Sequence, residues 1–147
     1  MDTIYYCPAC GTKNRVAQEK TGLKPKCGKC GTSLAGAALA GRVNTLADSD
    51  FISHVQQARV PVLVDFYSPT CGPCQRLGPV LESLAARFSG KLIIYKINTA
   101  IEQAHAARFG ITGVPTLIFF RQGQEADRIV GAMPEEDLAR RIQAFLG

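Results

Sequence analysis

Val62-Leu63-Val64-Asp65-Phe66-Tyr67-Ser68, followed after Pro69-Thr70 by Cys71-Gly72-Pro73-Cys74, decides how this chain folds. The run over 62–68 is short, mostly apolar and rich in β-branched and aromatic residues, the pattern of a strand covered on both faces. From 74 to 88 the apolar side chains fall at Leu77, Val80, Leu81, Leu84 and Phe88, the spacing of an amphipathic helix. The paired cysteines therefore sit where a strand gives way to the first turn of a helix. Unpaired N–H groups and the helix dipole favour an anion there. A thiolate is such an anion and is the attacking species in thiol–disulfide exchange, which this pairing points to.

Outward from this centre, helix and strand signals alternate. A short strand near 43–46 precedes Asp48/Ser49, an N-cap signal for a helix carrying Phe51, Ile52, Val55 and Ala58 on one face. After the cysteine helix come a strand at 92–98 and a shorter helix around 102–109. Two strands, 116–121 and 126–130, are joined through Gln122-Gly123. The last helix starts after Pro134 with Glu135, Glu136 and Asp137, and it buries Leu138, Ile142 and Phe145. This order predicts an α/β fold with a mixed central sheet and helices on both faces.

The remaining cysteines form two further pairs, Cys7/Cys10 and Cys27/Cys30, sixteen residues apart. That is the spacing of a four-cysteine zinc ribbon, with Gly11, Gly28 and Gly31 beside the ligands to allow tight knuckles. Some 30 residues with few large apolar side chains bury too little surface to fold alone. Structural zinc supplies on the order of 10–16 kcal/mol in small peptides. Two structural disulfides are the alternative and would need an oxidising compartment. Oxidation of zinc-bound thiolates with loss of the metal is also open to such a site. The expected organisation is a ribbon over 1–33, a flexible link over 34–42 in the small-residue stretch that begins near 32, and a second domain over 43–147.

Charge narrows the partners. The chain carries 17 Lys and Arg against 12 Asp and Glu. Residues 1–41 hold six of the bases and two of the acids, and four thiolates on a divalent ion would offset about half of that excess. Lys13, Lys20, Lys24, Lys26 and Lys29 then read as solvating a core-poor module, not as a nucleic-acid surface. No run of 18 apolar residues is present to span a membrane. The start, Met1 to Cys7, lacks a basic segment followed by an apolar one, so the expected location is a reducing cytoplasm. A monomer is the default. His54 and His105 lie on predicted helices away from any cysteine and read as packing or solvated residues.

Residues 43–147 resemble the thioredoxin family, and with the ribbon nearly the whole chain is similar to the zinc-containing branch of that family. The likeness rests on Val64-Asp65-Phe66, Cys71-Gly72-Pro73-Cys74, Pro79, the loop Gly110-Ile111-Thr112-Gly113-Val114-Pro115-Thr116, and Val130-Gly131-Ala132. The resemblance implies a protein-disulfide reductase of oxidised protein substrates, recharged by an NADPH-dependent thioredoxin reductase. It makes Cys71 the attacking thiolate and Cys74 the resolving thiol, with Gly72 and Pro73 stiffening the turn between them. It makes Asp65 the buried proton acceptor tuned by Lys96, and Pro115 a cis proline beside the sulfurs. Gly113, Val114 and Gly131 join Thr70 as the substrate-binding rim, and Cys7, Cys10, Cys27 and Cys30 hold the zinc. Three places depart from the family, one of them Ile97-Asn98-Thr99, where the acid usual after the Lys96 strand is absent. Thr70 and Tyr67 stand where tryptophans are usual, which puts docking affinity and potential in question but not the exchange itself. An oxidase or isomerase, or an adaptor in which the ribbon delivers a redox domain to a partner or nucleic acid, are the competing readings.

Overall fold

A computed structural model describes residues 2–7, 9–17, 19, 23, 25–34 and 37–147 of this 147-residue chain. Two strands, β1 (Thr3–Tyr6) and β2 (Lys13–Val16), form an antiparallel hairpin at the N-terminus. The rest of the chain builds a five-stranded sheet in the order β3-β5-β4-β6-β7. Its strands are β3 (Val43–Thr45), β4 (Val62–Tyr67), β5 (Ile93–Asn98), β6 (Thr116–Arg121) and β7 (Gln124–Val130). β3, β5 and β4 run parallel, β6 is antiparallel to its neighbour β4, and β7 is antiparallel to β6 and so runs in the direction of the first three. Helices α1 (Gly72–Arg87), α2 (Ala104–Arg108) and α3 (Glu135–Leu146) complete the fold.

Strand alternation divides the core in two. Leu63, Ile94, Leu117 and Phe119 point to the face covered by α1 and α3, against Leu77, Leu81, Leu84, Leu138 and Ile142. Val62, Val64, Phe66, Ile93, Tyr95 and Ile97 point to the other face, against Phe51, Val55, Ala106 and Phe109. Both faces of β4 are thus buried, which is why its sequence reads as an almost unbroken apolar run. Asp65 shares the parity of Leu63 and so falls on the α1 face.

The segment expected to form a helix from Asp48 onward is different. It makes a 3₁₀ turn (Asp48–Asp50) and one π-helical turn (Ile52–Gln56), closed by Gln57 N–H donating to the Ile52 carbonyl. The wider turn keeps Phe51 and Val55 in the core and turns Ile52 outward, 53% exposed. Nor is Asp48 the cap of its own segment. Its carboxylate accepts from the amides of Ala104 and His105 and from His105 Nδ1, so it caps α2 across the fold. His105 also stacks on Phe51 with ring centroids 4.1 Å apart.

The stretch read as a flexible link is packed where it is described. Ala35 and Gly36 lie outside the described residues, but Leu34 and Ala38 are buried. Tyr6 N–H donates to the Ala38 carbonyl and Ala40 N–H to that of Ile4, so the segment runs alongside β1. The hairpin in turn docks on the sheet. Tyr6 is 3% exposed and joins the core cluster of Val62, Ile93 and Tyr95. Gly11 leaves room for no side chain: a Cβ there would stand 2.9 Å from Val60 Cγ1, and its φ of 77° disfavours one as well. These contacts all meet the segments that lead into β4 and β5, the opposite end of those parallel strands from Cys71. Among the described residues no helix is long and apolar enough to cross a membrane.

Candidate functional site

At the end of β4 the chain turns through Ser68–Thr70 and enters α1, with Cys71 as its N-cap in extended conformation (φ −86°, ψ 117°). Cys71 and Cys74 are joined as a disulfide with Cα atoms 5.2 Å apart. The Cys74 amide donates to Cys71 Sγ at 3.2 Å, so the helix N-terminus directs a backbone N–H at that sulfur. Cys71 is half-buried and Cys74 is buried, with Gly72 and the exposed Pro73 between them at the first helical positions.

The loop before β6 closes over this pair. The Val114–Pro115 peptide is cis, and the Val114 carbonyl oxygen lies 3.7 Å from Cys71 Sγ. Thr116 Oγ1 donates to the Gly113 carbonyl at 2.6 Å, and the Gly131 amide donates to the Pro115 carbonyl at 2.8 Å. Gly113, Val114 and Gly131 are therefore brought into one rim beside Cys71. Thr70 sits on the same rim, exposed, with its Oγ1 3.2 Å from Ser68 Oγ.

Below the sulfurs a cavity of about 180 Å³ is lined by Asp65, Tyr67, Cys74, Gln75, Gly78 and Lys96, among others. Asp65 is 4% exposed and its Oδ1 has no hydrogen-bond partner among the described residues. Burial pushes this carboxyl up to about 7, against the opposing pull of the Lys96 ammonium. Asp65 and Lys96 are register partners on β4 and β5, on the same face. Lys96 Nζ also stands 5.7 Å from the centre of the Tyr67 ring, within cation–π range. A buried acid pushed up toward neutrality, in the same cavity as Cys74, can exchange a proton with that side chain once the disulfide is reduced to thiols.

The second cluster of sulfurs is in the hairpin module. Cys7, Cys10, Cys27 and Cys30 bring their sulfurs within 4.8 Å of one another. Cys7 and Cys30 are 3.5 Å apart and Cys10 and Cys27 are 3.7 Å apart. Tetrahedral ligation with metal–sulfur bonds of about 2.3 Å requires sulfur separations of roughly 3.8 Å, so the four fit one tetrahedral ion. Backbone amides of Ala9 and Cys10 point at Cys7 Sγ and that of Lys29 points at Cys27 Sγ. Lys20 and Lys24 lie outside the described residues.

The ribbon also carries a regularity legible in its sequence: both knuckles read C-x-x-C-G-T. Their backbones match. Cys7 N–H donates to the Thr12 carbonyl and Cys27 N–H to that of Thr32, while Gly11 and Gly31 adopt φ of 77° and 76°. Tyr6, the residue that fixes the ribbon to the sheet, gave no sequence signal beyond being a large apolar side chain in a module with few.

Residues 42–144 match the family described as thioredoxin, and residues 6–32 match the family described as thioredoxin 2, N-terminal. The chain belongs to the thioredoxin family. Among its relatives, thioredoxin M4, chloroplastic, from Arabidopsis thaliana is 45% identical over 74% of this chain, which spans 56% of that protein's length. Thioredoxin 1 of a Nostoc species is 40% identical over 69% of this chain and 94% of its own. The thioredoxin of Haemophilus influenzae is 44% identical over 67% of this chain and 92% of its own. The two family matches together account for both sulfur clusters of this thioredoxin, one in each module.

Proposed function

We propose that this thioredoxin is a protein-disulfide reductase whose ribbon holds a structural zinc ion. The observation that carries the reading is the Cys71–Cys74 disulfide at the N-terminus of α1, beside the cis-proline loop and above the buried Asp65. In the reduced chain, Cys71 Sγ is the thiolate, favoured by the Cys74 amide and the helix N-terminus. It attacks one sulfur of a substrate disulfide, forming a mixed disulfide and expelling the other sulfur as a thiolate. Cys74 then gives its proton to Asp65 and attacks Cys71 Sγ, which forms the intramolecular disulfide and expels the second substrate sulfur. The substrate gains the two electrons that the chain loses; the Cys74 proton leaves through Asp65, and the second proton needed to make two substrate thiols comes from water.

Backbone groups of Gly113 and Val114 hold the substrate strand against the rim, with Gly131 and Thr70 flanking it. Lys96 tempers Asp65, and Pro115 keeps the loop close to the sulfurs. The four ribbon cysteines hold the zinc, which supplies the cross-link that a core-poor module lacks. The working compartment is the cytoplasm, and an NADPH-dependent thioredoxin reductase returns the pair to the dithiol.

The test is the equilibrium reduction potential of the Cys71–Cys74 pair against glutathione. A value near about −270 mV is expected, and one near about −180 mV or higher would recast the chain as an oxidase or isomerase. Cys71→Ser should abolish disulfide reduction, whereas Cys74→Ser should accumulate the mixed disulfide.

A further inference from the structure

The four ribbon sulfurs are not equivalent. Cys7 and Cys27, the first of each knuckle, are buried, and backbone amides point at both. Cys10 and Cys30, the second of each knuckle, are the accessible ones, Cys10 half-buried and Cys30 exposed. Each of these two has a threonine hydroxyl beside it at the same distance: Thr12 Oγ1 lies 3.2 Å from Cys10 Sγ, and Thr32 Oγ1 lies 3.2 Å from Cys30 Sγ. A sulfur that ligates a cation has lost its proton, so the hydroxyl is then the donor in each pair.

This placement has a chemical consequence in a chain that handles disulfides. An exposed metal-bound thiolate is still a nucleophile. Were Cys30 Sγ to attack a disulfide R–S–S–R, a Cys30–S–S–R bond would form and RS⁻ would leave. The ribbon sulfur would be oxidised, the departing sulfur reduced, and the metal would lose a ligand. A hydrogen bond to the sulfur lone pair opposes that attack, because the pair must be freed before it can form the new bond. We propose that the Thr12 and Thr32 hydroxyls hold and deactivate the two accessible metal thiolates, confining disulfide chemistry to Cys71 and Cys74. The inference rests on the reading of the ribbon as a metal site.

The experiment uses the full chain loaded with zinc and the double variant Thr12→Val/Thr32→Val, which keeps side-chain shape and removes both donors. Zinc release to a coloured chelator is followed in the presence of oxidised glutathione. The valine variant should release zinc about 10- to 100-fold faster than the wild type, and Thr12→Ser/Thr32→Ser at close to the wild-type rate. In the cobalt-loaded chain, the sulfur-to-metal charge-transfer band should move to lower energy in the valine variant and stay in place in the serine variant. Should the double variant not fold, Thr32→Val alone gives both readings at the more exposed knuckle. Wild-type release rates in the valine variant, or faster release without a band shift, would overturn the inference and leave the metal site standing. Serine variants that behave like valine would overturn it too. A wild-type chain that binds no metal would overturn both.

Discussion

The hydroxyl of Tyr6 accepts a hydrogen bond from the amide of Gly90, 84 residues further along the chain, and lies 3.4 Å from the Leu92 carbonyl oxygen. A residue of the ribbon therefore satisfies backbone groups at the entrance to β5, and its ring fills the core of the redox domain. Tyr6→Phe keeps the ring and removes the acceptor of the Gly90 amide, at an expected cost of about 0.5–1.5 kcal/mol in urea unfolding. Retained stability would mean that the two modules are only apposed. Removing the metal held by the four ribbon cysteines, zinc on the proposed reading, with a chelator should also lower the unfolding temperature of the sheet, and an unchanged temperature would separate the modules energetically.

Asp65 should set a pH dependence with a definite sign. Its folded-state pKa of about 7 lies above the ordinary carboxyl value of 3.8. Between the two, the unfolded chain has released this proton and the folded chain still holds it. Stability contributed by the neutral carboxyl is thus full below about pH 4 and is lost as pH rises through about 7, at roughly 1.4 kcal/mol per unit. Asp65→Asn should be the more stable chain at pH 8, by up to about 4 kcal/mol, with a smaller difference in acid. The same variant should slow the resolving step most near neutral pH, and an unaltered pH–rate profile would remove Asp65 from the proton transfer.

Asp48 gives the opposite sign. Burial acts to raise its carboxyl, but the hydrogen bonds from the His105 side chain and the Ala104 and His105 amides outweigh that and hold it below the usual range. Asp48→Ala should cost about 1 kcal/mol at pH 7, the usual worth of a helix cap. The gap should close in acid, as pH falls through the folded-state value and the wild-type carboxylate itself is protonated. A gap that persists at pH 2 would assign the loss to packing and not to the cap.

Thr70 leaves the rim beside Cys71 without the large apolar ring usual in the family. Thr70→Trp should lower KM for a protein disulfide about 3- to 10-fold, with kcat near its starting value, because an added aromatic contact contributes about 0.5–1.5 kcal/mol. A change in kcat alone would show that Thr70 acts on the sulfurs and not on docking.

The strand over 62–67 and the helix that begins after Cys71 were legible because two independent signals, burial on both faces and 3.6-residue periodicity, met at the cysteines. The same is true of the hairpin turn at Gln122-Gly123, where both residues adopt positive φ. What sequence spacing does not carry is contact between distant segments. Asp48 has the composition of a local cap, yet its carboxylate serves a helix more than fifty residues away. The turn at 51–57 has helical periodicity, but Gln57 reaches back five residues instead of four, so Ile52 faces solvent. The stretch 32–42 looks like a tether because its residues are small, and small residues are also what lets a segment lie flat along β1. Lys96 could be placed on β5 from the pattern, but its position over Tyr67 and opposite Asp65 depended on the strand register.

The ribbon grips the ends of β4 and β5 from which Cys71 is farthest, and β4 alone is roughly 20 Å long. Any molecule that takes hold of the ribbon carries this thioredoxin by its far pole, with the reactive sulfurs turned outward and free to meet a second protein. Anchoring and turnover need not compete for the same surface.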